Sequence, residues 1–385
     1  MDTQSSPLTI LQTCFSRSWG GLEMQALEVS AHLARRGHMV RLACCAGSRL
    51  AREAHDARLV LSELEVSGYF HPAATWRLSR LIRFHAMSLL HCQHSRDLSL
   101  VVPAADLSGI SPKIVLSKRV GSYVHKRDFF HRYTYSRLAR VLAISEVIHR
   151  NVLDTTPTPP ERVLTLHDAI DTEVFDPAKA EGMRVRSEFG YSAQTIVVGF
   201  VGRFSPGKGH EELLQAAAAV HGTRPGVRFL VVGEASAGEE AYAESIRQMS
   251  ARLGLDGVVT FAGFRRDTPD VMASFDILAF PSHAESFGVV LIEAMAMGLP
   301  VVSTNCDGVL DIVRDGETGL FVHPRASGEL AAALFRLIDS QDLRSRLGAA
   351  GRRRALDLFG RESQIDRLEQ IYREVLSEDP SGRTP

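Results

Sequence analysis

Residues 196–209 read Ile196-Val197-Val198-Gly199-Phe200-Val201-Gly202-Arg203-Phe204-Ser205-Pro206-Gly207-Lys208-Gly209. The uncharged run Ile196 to Val201 has the length and composition of a strand buried on both faces, as in a parallel sheet covered by helices. The Gly/Pro loop after it turns the chain, and a helix is predicted from about Glu211 to Val220. Such a loop offers free amide N–H groups to an anion, and Arg203 and Lys208 add positive charge. It falls one residue short of the pattern G-x-x-x-x-G-K-[ST], because Gly209 stands where a hydroxyl would hold Mg²⁺. A phosphate-binding loop, a P-loop ATPase or kinase, and an ordinary strand-to-helix turn are all open readings of this stretch alone.

The same alternation extends in both directions. Downstream, buried strands are predicted at Arg228–Val232, Val258–Ala262, Ile277–Phe280, Val301–Ser303 and Gly319–Val322, then helices at Ala326–Ser340 and Leu343–Leu358. Upstream, strand Leu8–Cys14 leads through a loop to a helix bearing Leu22, Ala26, Val29 and Leu33 on one stripe, stopped by Gly37. Further strands are predicted at His38–Cys44, Leu89–Cys92, Ile114–Ser117, Val141–Ile144 and Arg162–Leu166, with helices at Phe130–Arg140 and Glu146–Asp154. This is an α/β chain of two parallel-sheet, Rossmann-like domains. The expected boundaries are 1–172 for the first domain, 173–190 for a polar linker and 191–360 for the second. The remainder, 361–385, is a helix over Glu362–Leu376 that packs back on the first domain, and a tail.

A chain of 385 residues is long enough for two cores. Its formal net charge of -1 argues against a dedicated nucleic-acid binder, which would show a basic excess. Cys14, Cys44, Cys45, Cys92 and Cys306 are scattered and read as reduced thiols of a cytosolic protein. Met1 to Pro7 is not a secretory signal, and no run of about 18 apolar residues is present to span a membrane. Arginine supplies nearly all the basic residues; the lysines are Lys113, Lys118, Lys126, Lys179 and Lys208.

The strongest chemical signal is Glu285-Ser286-Phe287-Gly288-Val289-Val290-Leu291-Ile292-Glu293. The helix opening near Gly288 is apolar almost all round, and a carboxylate at Glu293 inside it is costly unless it finds a partner. Glu285 lies in the loop before that helix, beside free amides. Structural capping explains the two acids; so does a ligand rich in hydroxyls. Gly20-Gly21 with Glu23 opens the first helix and by itself reads as a turn. His91 and His94 follow a strand three residues apart, without a third metal ligand at a suitable spacing. From Lys118 to Arg140 cations alternate with Tyr123, Phe129, Phe130, Tyr133 and Tyr135. This pattern suits an anionic acceptor, an anionic membrane surface or a solvated helix.

Taken together these motifs resemble the family 4 retaining glycosyltransferases, glycosyl transferases group 1, of GT-B fold. The resemblance runs from Trp19-Gly20-Gly21-Leu22-Glu23 through Ala143-Ile144-Ser145-Glu146 and Ala169-Ile170-Asp171 to Gly202-Arg203, Lys208-Gly209, Glu285/Glu293 and Asp315-Gly316-Glu317-Thr318-Gly319. It implies two domains facing a central cleft. It also implies transfer of a sugar, hexosyl or heptosyl, from a nucleotide-diphosphate-sugar donor to a glycan or lipid-linked acceptor, with retention.

The resemblance assigns catalytic roles to Arg203, Lys208 and Glu285. The cations neutralise the leaving diphosphate, and Glu285 meets the donor sugar. Donor contacts are implied for Gly202, Ser286, Phe287, Gly288 and Val289, with Glu293 on the ribose and Gly263-Phe264 by the base. Gly20 and Gly21 close over the cleft. No Asp-x-Asp occurs, so neither a metal nor another cofactor is expected. Where relatives carry a His-Asp pair this chain has Ser117-Lys118-Arg119, and His94, Lys118 and Arg119 are the acceptor-side candidates. The Gly-Gly-x-x-Glu of the family reads Asp307-Gly308-Val309-Leu310-Asp311. The resemblance points most to bacterial transferases of lipopolysaccharide or other surface glycans, cytoplasmic or peripheral at the inner face of the cytoplasmic membrane. A nucleotide-sugar-binding subunit without catalysis is the alternative of another class.

Overall fold

The computed structural model describes residues 6–66, 71–236 and 238–378, and the outer parts of the predicted N-terminal segment and C-terminal tail lie outside them. The chain divides into two compact units, residues 1–168 with 364–385, and residues 169–363.

The first unit runs β1 (Thr9–Cys14), α1 (Gly21–Arg35), β2 (Met39–Cys45), α2 (Arg49–Asp56), β3 (Val60–Leu64), α3 (Pro72–Phe84), β4 (Leu89–Cys92), α4 (Leu98–Ser108), β5 (Lys113–Lys118), α5 (Phe129–Ser136), β6 (Leu138–Ala143), α6 (Glu146–Thr155) and β7 (Val163–Thr165). Its seven strands are parallel and ordered β3-β2-β1-β4-β5-β6-β7. The second unit contains α7 (Gly182–Glu188), β8 (Val197–Val201), α8 (His210–His221), β9 (Arg228–Val232), α9 (Glu240–Arg252), β10 (Val259–Gly263), α10 (Thr268–Ala273), β11 (Ile277–Phe280), α11 (Val289–Ala296), β12 (Val301–Thr304), α12 (Val309–Ile312), β13 (Gly319–Val322), α13 (Ser327–Ile338) and α14 (Gln341–Phe359). Its six parallel strands are ordered β10-β9-β8-β11-β12-β13. In both sheets the order reverses beside the first strand, β1 against β4 and β8 against β11. A doubly wound sheet binds ligands at the carboxyl ends of its strands at such a point.

The last helix, α15 (Arg361–Ser377), places Ile365, Leu368, Ile371, Tyr372 and Val375 in the first unit's core, against Ile10, Val29, Leu33, Val40, Leu89, Val115 and Leu142. Their spacing of three and four residues is that of one helical face. Tyr372 is fully buried, and its hydroxyl lies 2.5 Å from His91 Nδ1 and 3.3 Å from Gln12 Nε2. His91 Nε2 in turn meets Ser117 Oγ at 2.9 Å. Burial, with help from nearby Arg119, pushes the His91 imidazole down to about 3, so it is neutral and each ring nitrogen has a hydroxyl partner. Arg36 pairs with Asp366 at 2.5 Å and Glu369 at 3.2 Å at the rim of this contact.

Three differences from the sequence reading have physical causes. The helix predicted over Phe130–Arg140 stops at Ser136, because Leu138, Val141 and Leu142 enter the sheet as β6 beside β5. Residues 173–190, expected as a linker, hold α7 and are packed within the second unit. A Cβ at Gly182 would lie 2.3 Å from the Ala273 carbonyl oxygen, and Arg186 bonds Ser274 O and Asp276. Finally, α2, β3 and α3 fill the stretch between β2 and β4, where no element was predicted. The five cysteines are unpaired, and all but Cys306 are buried.

Tyr372→Phe removes the partner of His91 and Gln12 inside the core and should cost about 1–3 kcal/mol, the penalty for stranding buried polar groups. Hydrogen exchange resolved by peptide should show that loss in β1, β4 and β5, with β8, β9 and β11 unchanged.

Candidate functional site

In the second unit three loops meet at the carboxyl ends of β8, β11 and β12. The loop after β8 is shaped by glycine. Gly207 (φ 85°) and Gly209 (φ 82°) take left-handed backbone, and a Cβ on Gly209 would sit 2.1 Å from the Pro281 carbonyl oxygen. The loop therefore lies directly on the end of β11, where His283 N–H donates to Gly207 O at 2.8 Å. Gly202 N–H donates to Val232 O at 2.9 Å, and Gly233 N–H to Gly263 O at 2.9 Å, which draws the ends of β8, β9 and β10 together. Beneath the loop His210 is buried between Phe200 and Phe204, with ring centroids 4.6 Å from each. Burial, aided by Lys208, pushes this histidine down to about 4, which makes it a neutral aromatic of the core.

The loop after β11 carries Glu285, and the one after β12 supports it. Gly308 N–H donates to Glu285 O at 2.9 Å, and Glu285 N–H to Asp307 Oδ2 at 3.3 Å. A side chain at 308 would strike Ser286 O, since its Cβ would come within 2.2 Å. Asp307 has φ 44°, a conformation glycine adopts freely and aspartate tolerates better than most residues. That is why the family's Gly-Gly can read Asp-Gly here. The aspartate also uses its carboxylate to hold the loop.

These contacts bring Lys208 and Glu285 together as an ion pair, Nζ to Oε1. The lysine side chain is 24% exposed and the glutamate 15%. Arg203, in the same loop, is exposed and donates to Ser236 Oγ at 3.0 Å. Phe287 is buried and edge-on to Phe359, with centroids 5.8 Å apart. Ser286 is partly buried beside it. Gly288 (φ 114°) precedes the first residue of α11, Val289. Glu293 lies on the second turn of that helix and is partly exposed, while Leu291, Ile292, Ala294, Met295 and Ala296 are buried. The helix is thus less enclosed at its acidic face than its composition implied. Gly263 ends β10, and Phe264 after it is an exposed ring. Sequence reasoning missed the His283–Glu212 pair, 3.0 Å across, which ties the β11 loop to α8. Only the acid-histidine composition of those loops could have signalled it.

In the first unit, Gly20 caps α1 and Gly21 is its first residue. His94 caps the short turn Ser95–Asp97, its Nδ1 accepting from Arg96 N–H at 3.2 Å. Asp97 is buried and accepts Phe15 N–H at 3.0 Å, which joins the loops after β1 and β4. Lys118 is buried at the end of β5. Arg119 was expected on the acceptor side, but its guanidinium pairs with Asp168, both side chains being less than a tenth exposed. Asp168 neutralises the Arg119 charge, while the buried Nε of the same guanidinium has no hydrogen-bond partner among the described residues.

Residues 19–174 match the model of Glycosyltransferase Family 4, and residues 185–354 that of Glycosyl transferases group 1. Between them the two models take in most of the chain, which belongs to this glycosyltransferase family. A relative, the D-inositol 3-phosphate glycosyltransferase of Mycobacterium marinum, is 31% identical over 306 residues, 77% of this chain and 61% of its own length. Across that relative and its counterpart in Acidothermus cellulolyticus the chain spans 61% and 53% of the relative's length. Among solved structures, a Rickettsia africae glycosyltransferase aligns with TM-score 0.89 at 21% identity, covering 97% of this chain and all of that one. Anabaena Alr3699/HepE, solved with UDP and glucose, aligns with TM-score 0.83 at 21% identity, over 95% of this chain and 99% of that one. The fold is that of the GT-B glycosyltransferases.

The Lys208–Glu285 pair makes a directional prediction for an anion entering the loop. Pyrophosphate must share the ammonium with the carboxylate, so Glu285→Gln should tighten pyrophosphate binding by about two- to fivefold, the scale of a partly exposed pair. Lys208→Ala should weaken it. Calorimetric titration of the two variants checks both signs.

Proposed function

We propose that the chain is a retaining, metal-independent glycosyltransferase that moves a sugar from a nucleotide-diphosphate-sugar to a glycan or lipid-linked glycan. The place suggested for it is lipopolysaccharide or surface-polysaccharide assembly. The observation that carries this reading is the Lys208–Glu285 pair at the strand-order reversal of the second unit. One loop thus presents a cation and glycine amides to a diphosphate, and its neighbour presents a carboxylate to hydroxyls one bond further out. Anabaena HepE, of the same fold, has been solved with UDP and glucose.

In the reaction the bond from the anomeric carbon to the donor phosphate oxygen breaks, and its electron pair leaves with the nucleoside diphosphate. Lys208, Arg203 and the amino end of α8, twelve residues long, oppose the growing negative charge. Glu285 orients the sugar once the diphosphate has taken over Lys208. Glu293, on α11, receives the ribose hydroxyls, and the Gly263-Phe264 edge receives the base. Retention requires the acceptor oxygen to bond from the face the leaving group vacates. The departing phosphate oxygen is then the nearest base for the acceptor proton. The absence of Asp-x-Asp and the hydroxyl-less Gly209 favour neutralisation by side chains over a divalent metal.

A panel of acceptors tests the second substrate. The relatives act, by name, on inositol 3-phosphate, and a panel should include that compound beside lipid-linked glycans. No helix among the described residues is long and apolar enough to cross a membrane. Around α5, however, Val120, Tyr123, Val124 and Phe129 are exposed beside Arg127 and Arg132. That mixture of rings and cations suits an anionic lipid surface.

With a matched donor and acceptor, Lys208→Ala and Arg203→Ala should each lower turnover by about 10²–10³, and Glu293→Gln should mainly raise the donor KM. Turnover should persist in excess EDTA; loss restored by Mg²⁺ or Mn²⁺ would refute the metal-free route. Tight donor binding with no turnover on any acceptor would favour a binding subunit. Reversing the charge of Arg127 and Arg132 should reduce sedimentation with phosphatidylglycerol vesicles and leave soluble donor hydrolysis unchanged.

A further inference from the structure

Lys118 ends β5, at the carboxyl edge of the first unit's sheet, close to the reversal between β1 and β4. It is only 6% exposed, and among the described residues its ammonium has neither a carboxylate in ion-pair range nor a hydrogen-bond acceptor. Other enclosed cations of the unit are neutralised: Arg119 by Asp168, Arg140 by Glu378, Arg36 by Asp366 and Glu369. With its stem enclosed and no counter-ion, the ammonium depends for hydration on what little solvent reaches it.

A second lysine adds to the charge at Lys118. Lys126, which follows in the loop to α5 with its ammonium 6.0 Å from the Tyr135 ring centroid, lies within electrostatic reach. His94 and Arg96, after β4, are part of the same field. Burial first, then Arg96, Lys118 and Lys126, depress His94, while Glu23 of α1 acts the other way. Asp97 is turned away, onto Phe15 N–H. Glu23 is the carboxylate that opposes this field at His94.

We infer that Lys118, with Lys126 and His94, forms a binding site in the first unit for a compact anionic group, a phosphate or a carboxylate, carried by the acceptor. The inference rests on the transferase reading above and adds the charge class of the second substrate. An anion supplies the counter-charge that the fold withholds from Lys118. A lysine suits this role because its compact, strongly hydrated ammonium gains most from a small, dense anion. Arg119 takes no part, since Asp168 already holds it.

The scarcity of lysine makes the site readable one residue at a time. Trace acetylation of the full chain with acetic anhydride, followed by mass spectrometry, reports Lys113, Lys118, Lys126, Lys179 and Lys208 separately. The probes are inorganic phosphate, glucuronate and, as a reference for the second unit, UDP. Inorganic phosphate or glucuronate should slow labelling of Lys118 and Lys126 by about tenfold when nine-tenths of the sites are filled, with Lys179 unchanged; which anion does so decides between phosphate and carboxylate. In Lys118→Met the protection of Lys126 should vanish, and Lys118→Arg should retain part of it. Should Lys118→Met fail to fold, the wild-type labelling decides alone. Unchanged labelling of Lys118 with both anions overturns the inference. If UDP still shields Lys208 in that case, the donor reading stands; if UDP does not shield Lys208 either, the transferase reading fails as well.

Discussion

The second unit depends on a backbone approach that only glycine permits. With no Cβ at residue 209, the turn leaving β8 rests on the Pro281 carbonyl at the end of β11. Everything that could handle a diphosphate follows from this contact. It fixes Lys208 against the loop that carries Glu285, and it points the first amides of α8 in the same direction. Gly308 repeats the device one strand over, letting the loop after β12 press against Ser286 O. The side chains of the region are thus carried by three loops, and their precise placement by two missing methyl groups.

The resting pair of Lys208 and Glu285 also answers an electrostatic difficulty. A cation and an acid gathered in a partly buried pocket each lose hydration, and pairing limits that loss while no ligand is present. Exchange of the carboxylate for a doubly charged phosphate then returns more Coulomb energy than it removes. The first unit handles its polar interior otherwise. His91, Tyr372, Ser117 and Gln12 satisfy one another without charge, whereas Lys118 has no counter-ion among the described residues.

Much of this was legible in the residues. Strands such as Val197–Val201, Arg228–Val232 and Ile277–Phe280 are apolar on both faces, so no register ambiguity hides them. The loop glycines, Arg203, Lys208 and the Glu285/Glu293 spacing marked the loops at the carboxyl ends of β8 and β11, where Lys208 and Glu285 meet. β3 escaped because Val60–Leu64 is an edge strand with an exposed first residue and a weak hydrophobic signal. The helix over Phe130–Arg140 was drawn too long since aromatic and basic residues fit a helix face as well as the start of β6. Residues 173–190 look like a linker because their polar side chains face water, while the packing that holds them runs through Gly182 and the Arg186 guanidinium. The isolation of Lys118 and the commitment of Arg119 could not be read at all, since the last residue of β5 and the one after it differ only in which partner lies across the fold.

The route of the chain through α15 sets the order in which this protein can mature. A ribosome delivers residues 1–168 first, and domains commonly fold as they emerge. Here the sheet built from those residues lacks Ile365, Leu368, Ile371, Tyr372 and Val375 until the segment after residue 363 has been made. His91 and Gln12 meanwhile have no tyrosine to bond, and an apolar groove stays open over β1, β4 and β5. Residues 169–363 carry no such debt, being continuous in sequence. The half translated second can therefore reach its native state before the half translated first.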